Sequence, residues 1–188
     1  MDWYSLVKFL HVGSAIIWVG GGFALVVLGI AADRARDNEG IGRIVDYVIF
    51  LTPRLLVPAA ISAFLFGALA TWLAWSLSYL WIWIGLIGFA TTFMMGFFVL
   101  KPQSEAVGRV VAVEGYSDRA VAMGRELLGR AKFDYVLMAV VVADMIFKPT
   151  VNDWPLLVVF AVAVAAGAAY FLTPTLLKGG QAQASAVR

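Results

Sequence analysis

Residues 79–100 read YLWIWIGLIGFATTFMMGFFVL, 22 positions without one Asp, Glu, Lys, Arg or His. At 1.5 Å per residue such a helix is about 33 Å long, enough to cross a hydrocarbon core of about 30 Å. A helix apolar on every face has no side to offer to water, so this stretch belongs in a bilayer. Four more spans follow by the same measure. Phe9–Ala32 is interrupted only by His11 and sits within a span of about 5–32. Leu55–Trp75 is entered through Pro53 and carries Pro58 in its first turn. Trp154–Leu177 has Asp153 as an N-cap and Pro155 near the first helical position.

The remaining span, about 131–147, has an apolar part, Phe133–Phe147, of only 15 residues. That covers about 22 Å. Ser117 and Asp118 can cap a helix, and Arg119–Lys132 holds good helix formers and no proline. One long helix is therefore expected, starting in the aqueous loop and running through span four; a re-entrant or tilted segment is the alternative.

The expected fold is all-α: a polytopic membrane bundle of five transmembrane helices packed around span one. Residues 1–178 form its single domain and 179–188 a disordered tail. Ile41–Pro53 either lies on the membrane surface or extends span two inward. No internal repeat is visible. The N-terminus Met1-Asp2-Trp3 is not basic and the first apolar run is too long for a signal peptide, so span one reads as a retained helix.

Composition agrees. Of 188 residues 62% are hydrophobic and 14% charged, with mean hydropathy +0.89, against about half and a quarter in soluble domains. A soluble enzyme and a disordered chain are excluded. A net charge of +2, spread between apolar spans, gives no nucleic-acid surface. With no cysteine there are no disulfides, thiolate metal sites or Cys nucleophiles.

Basic residues orient the spans. Arg34, Arg36, Arg43, Arg54, Lys101, Arg109, Arg119, Arg125, Arg130, Lys132, Lys178 and Arg188 fall on one side, 12 against Lys8 and Lys148 on the other. The basic side should be cytoplasmic, with the N-terminus outside and the C-terminus inside a bacterial inner membrane. Trp3, Trp72, Trp75, Trp81, Trp83 and Trp154 then form an outer aromatic belt, leaving Trp18 mid-span.

Ionisable groups at membrane depth are candidates for function. His11, the only histidine, shares a helix face with Lys8, Ser14, Trp18 and Gly22. Asp144 lies one turn before Lys148, and the four could form one polar cluster. Three readings of His11 are open. It is an axial ligand of haem or porphyrin, with Asp144 orienting its second nitrogen and Trp18 in the pocket. It is a copper ligand with Met145 or Met138. Or it is structural, bonding across helices. A single histidine per chain could also pair across a dimer to ligate one haem. A Lys148 salt bridge is the commoner explanation of Asp144, and Asp134 reads as an interfacial group.

Gly20–Gly22 invite close approach of a helix or flat ligand. Ala161, Ala165 and Ala169 form a small-residue stripe, with Ala163 and Gly167 beside it, for packing within the bundle or against a second copy or membrane partner. Met94 and Met95 read as core filler. No Ser–His–Asp set, carboxylate pair or HExxH is present, which disfavours a hydrolase.

The segments KFLHVGSAIIWVGGG (8–22) and VVVADMIFKPTVNDW (140–154) resemble the DUF2269 family of predicted bacterial integral membrane proteins. The first is also similar to the start of the membrane-bound protoporphyrinogen oxidases and of the copper-resistance D proteins. Likeness to the oxidases, which handle porphyrin and are associated with haem, implies a functional histidine at His11 and a pocket tryptophan at Trp18. The chain departs from that pattern in span three, which has no lysine, and in lacking a second histidine. The leading expectation is an accessory or structural, non-enzymatic membrane protein that contacts the lipid bilayer. Haem or porphyrin binding is the first alternative, and metal or proton transport the second.

Overall fold

The computed structural model describes residues 2–186, with side chains to residue 173. Among these, five long helices follow one another in antiparallel order: α1 (Trp3–Ala35), α2 (Asn38–Ala74), α3 (Leu80–Glu114), α4 (Asp118–Phe147) and α5 (Trp154–Ala186). Trp3, Trp75, Trp81 and Trp154 gather at one end of the bundle, and most of the arginines at the other. The tail expected from Gly179 to Arg188 lies outside the residues whose side chains are described.

Four helices are long and apolar enough to cross a membrane: α1, α2, α3 and the Trp154–Thr173 part of α5. The fifth, α4, is less apolar, yet it packs against each of the other four. This corrects the expectation that the bundle is built around the first span. Lipid solvates uniformly apolar helices at no cost, so the helix carrying polar groups gains most from a central place. It begins as expected, with Ser117 Oγ accepting from the Ala120 amide at 3.3 Å, and runs without a break for 30 residues.

The connections are short and locally specified. Arg36 is left-handed (φ 55°) and ends α1, and Asp37 caps α2 through the Gly40 amide at 2.8 Å. Gly115, with φ 65° and ψ −153°, closes α3 in a conformation that a side chain would strain. Asp153 stands at the N-terminus of α5 as expected. Its carboxylate, however, accepts from the backbone amide and hydroxyl of Thr150, at 2.8 and 2.7 Å.

Two helices extend well past their expected spans. Of the two readings of Ile41–Pro53 the extension of span two holds, the segment being the first part of α2, so Pro53 lies inside a helix rather than at its entrance. Likewise α3 continues past Leu100 to Glu114. A second small core explains this: Val45, Val107 and Leu127 are buried together, with Ile49, Leu100, Val111 and Met123 around them. Ion pairs surround that end, among them Arg125 with Asp33 at 2.7 Å.

Three helices widen locally into a single π turn, at Ile16–Gly20 in α1, Thr52–Leu56 in α2 and Gly96–Leu100 in α3. Two have a cause in the sequence. Pro53 falls within the second turn, and Pro102 follows the third so that its ring meets the carbonyl of residue 98. A proline lacks the amide and clashes with the carbonyl four residues back, which a wider turn relieves. The first π turn ends at Gly20–Gly22.

Candidate functional site

His11 faces α2. Its Nδ1 lies 2.7 Å from the Ala63 carbonyl oxygen, which can only accept, so Nδ1 carries the proton and donates. The ring rests on Gly67, where a Cβ would come within 2.9 Å of it. A backbone carbonyl therefore orients the imidazole in the place expected for Asp144. Trp18 lies two turns deeper, edge-on to Phe89 with ring centres 5.3 Å apart. Met138 is buried on α4 and Met145 packs over Gly85 of α3. His11 thus has its described contacts on α2, while Asp144 and Met145 both pack at Gly85 of α3. Among the described residues no three of His, Cys, Asp or Glu could hold a metal together.

Asp144 is 0% exposed on α4 and faces α3, where a Cβ on Gly85 would stand 3.3 Å from its Oδ2. Neither carboxyl oxygen has a hydrogen-bond partner. The expected pair with Lys148 does not form. Lys148 is left-handed (φ 48°) and ends α4, and its ammonium lies 4.0 Å from the Trp75 ring centre and 5.2 Å from that of Trp81. Those indoles meet edge to face at 5.1 Å, and Trp75 Nε1 donates to the Tyr4 hydroxyl at 3.1 Å. Two tryptophans of the expected belt therefore form an internal clamp, joining α1, the α2–α3 connection and the end of α4. Trp3, Trp72, Trp83 and Trp154 remain exposed. Lys8 makes no bond to His11, so the expected polar cluster is not formed.

From mid-bundle toward the arginine-rich end, the four helices α1 to α4 border a partly open cavity of about 170 Å³. Trp18 lines it from the first π turn, Thr52 and Leu56 from the second, and Gly96, Phe97 and Leu100 from the third. An α-helix given one extra residue per turn bulges and leaves space beside it, and such turns often mark functional sites. Here three of them border one space. Glycines let neighbouring side chains pack closely beside it. Gly22 leaves room for the Tyr135 hydroxyl, which donates to the Val19 carbonyl at 3.3 Å, and Gly29 accepts the Leu128 side chain. Phe64, Phe89, Phe93 and Phe97 continue from the cavity as an aromatic row, with neighbouring centres 5.2, 5.7 and 6.4 Å apart.

The walls are mostly apolar, with one feature at odds with them. Asp134 lines the cavity at 3% exposure, and its Oδ1 is buried without a partner. This corrects its reading as an interfacial group: helix α4, in which it sits, is central, so Asp134 turns inward. Lys101 also lines the cavity, with its ammonium 5.1 Å from the Phe97 ring centre. Thr92, equally buried, is satisfied by the Phe89 carbonyl at 3.1 Å.

Sequence reasoning missed Asp134 and the cavity. The available signals were Pro53 and Pro102 near mid-helix and an aspartate among apolar residues. The stripe of Ala161, Ala165 and Ala169 is exposed, and α5 packs on α4 instead through Gly167, beside Val136.

Comparison with known proteins gives one match. A family model described as predicted integral membrane protein (DUF2269) covers residues 5–149. No curated protein and no solved structure matches the chain.

Proposed function

The chain belongs to the DUF2269 family of predicted integral membrane proteins, and from that premise we propose that it is a non-enzymatic binding protein holding a small, largely apolar ligand between α1 and α4. The observation that carries this reading is the 170 Å³ cavity bordered by three π turns. Such turns often mark functional sites, and here three of them border one space. All five helices cross the bacterial cytoplasmic membrane in this reading, α4 shielded at the centre. The N-terminus is outside and the arginine-rich end inside, as the 12-to-2 distribution of basic residues supports.

The test is recovery of a bound molecule. Native mass spectrometry of the protein released gently from its own membrane should show a bound small molecule. Ala60, at 2% exposure in the cavity wall, provides the control: Ala60→Phe should lose that molecule while still folding. Equal release of small molecules by the two proteins would overturn the reading.

A second reading keeps His11 as a haem or porphyrin ligand. Its support is that Nδ1–H bonded to a carbonyl leaves Nε2 as the basic nitrogen, the arrangement common in ligating histidines. Trp18 and Asp144 do not complete such a site, and His11 is equally explained as a link between α1 and α2. A visible spectrum in oxidised and reduced states, beside His11→Ala, separates the two.

A further inference from the structure

We propose that the cavity's ligand is an amphiphile with a protonated amine head, which docks on Asp134 while its apolar body lies against Trp18 and Phe93. This rests on the binding reading above and gives it a chemical class. A buried carboxyl oxygen without a donor is among the costlier things a fold can hold, and Oδ1 of Asp134 has none. Nearby hydroxyls are committed elsewhere: Thr92 donates to Phe89 O and Tyr135 to Val19 O. Arg130, one turn away on α4, donates to Glu126 and to Gln103. Lys101 is the remaining cation in the wall, and it rests on Phe97 without pairing with Asp134. Asp134 lines the cavity and no protein group pairs with its buried oxygen, so a donor bound there would meet a carboxyl group left free to take it.

The rest of the wall sets the body of the ligand. Trp18, Phe93, Leu25, Val26 and Met138 are apolar, and the volume is close to the roughly 150 Å³ cavity that accommodates benzene in a soluble protein. One ring or a short alkyl segment fits. A charge-assisted bond from an ammonium is about twice as strong as one from a hydroxyl, and it neutralises the carboxylate away from water. An acid head would meet Asp134 with like charge and could pair only with Lys101.

Photolabelling in lipid nanodiscs tests this, with three diazirine-bearing probes of one short alkyl chain ending in an amine, an alcohol or a carboxylic acid. The amine should label peptides containing Trp18, Phe93 or Met138 saturably, at least tenfold more efficiently than the acid, with the alcohol between. Asp134→Asn should lower amine labelling about tenfold and Asp134→Glu should restore it. The head-group ranking on the unaltered protein stands even where a variant fails to fold. Equal or better labelling by the acid, or undiminished amine labelling of a folded Asp134→Asn protein, overturns the amine class and leaves the cavity as a binding site. Failure of all three probes to label the cavity overturns both.

Discussion

Lys148 places its ammonium 4.0 Å from the centre of the Trp75 ring, although Asp144 precedes it by one helical turn. The left-handed backbone at Lys148 ends α4 there and directs the side chain toward the indoles of Trp75 and Trp81. Asp144 is left facing Gly85 inside the bundle. The clamp gathers segments that are remote in sequence, so removing it should loosen the whole tryptophan-rich end. Lys148→Gln and Trp75→Leu should each destabilise the protein by about 1–2 kcal/mol, the range of a partly desolvated cation–π contact. Thermal unfolding in detergent checks this. A double mutant much worse than either single change would deny that the residues act as one contact.

Glycine positions should divide into two groups. A Cβ at Gly22 would overlap the Tyr135 hydroxyl, and one at Gly85 would overlap the Met145 methyl, whereas Gly13 and Gly96 have open space. Gly22→Ala should therefore cost about 1–3 kcal/mol through overpacking against the rigid tyrosine, and Gly85→Ala less, because the Met145 methyl can swing aside. Gly13→Ala should be neutral or stabilising by up to about 1 kcal/mol. The same melting assay decides, and equal effects in both groups would refute the packing described.

His11→Ala removes the bond to Ala63 and should cost about 1 kcal/mol, the Ala63 carbonyl keeping its place in the helix ladder of α2. Gly67→Val should cost at least as much, because its side chain would displace the same ring. Combining the two should add little, as both remove one contact. Strict additivity of the two melting shifts would show that His11 does not depend on Gly67.

The connection between α4 and α5 titrates. Bonds from the Thr150 amide and hydroxyl hold the Asp153 carboxyl below the usual carboxylate range. A folded-state pKa lower than the unfolded value adds stability that is present above about pH 4 and is lost as pH falls through the lowered value. Carboxyl NMR should find Asp153 titrating below other exposed aspartates, and Thr150→Val should raise it. No change in that variant would contradict the assignment.

Absence of native cysteine makes the topology directly testable. Single cysteines at Asn152 and Ser117 should react oppositely with a membrane-impermeant maleimide on intact spheroplasts. Asn152→Cys should label at once, and Ser117→Cys only after permeabilisation. Labelling of both from one side would mean that α4 does not cross.

Much of the fold was legible from local chemistry. Ser117 opens α4 where the capping pattern indicated, and the uncharged run 79–100 lies wholly within the apolar stretch from the α2–α3 turn through the third π turn. The extension of α3 to Glu114 was less visible. Its apolar residues Val107 and Val111 find their partners Val45 and Leu127 on other helices, beyond the reach of a sequence window. Of the candidate residues, His11 was found, but the partner it uses is a carbonyl 52 positions away. No side-chain pattern marks that carbonyl.

The sequence by itself determined that the chain is helical, where α4 and α5 begin, and that most of the helices are apolar enough for a bilayer. Those properties follow from hydropathy, capping and backbone preference within each segment. Tertiary structure alone decided which helix is central, that Asp134 faces inward, that Lys148 chooses indoles over a carboxylate, and that three π turns meet at one cavity. Helices apolar on all sides carry no stripe to say which face meets which neighbour. In lipid, where burial of apolar surface distinguishes little, that choice is made by shape and by the few polar groups the bundle must enclose.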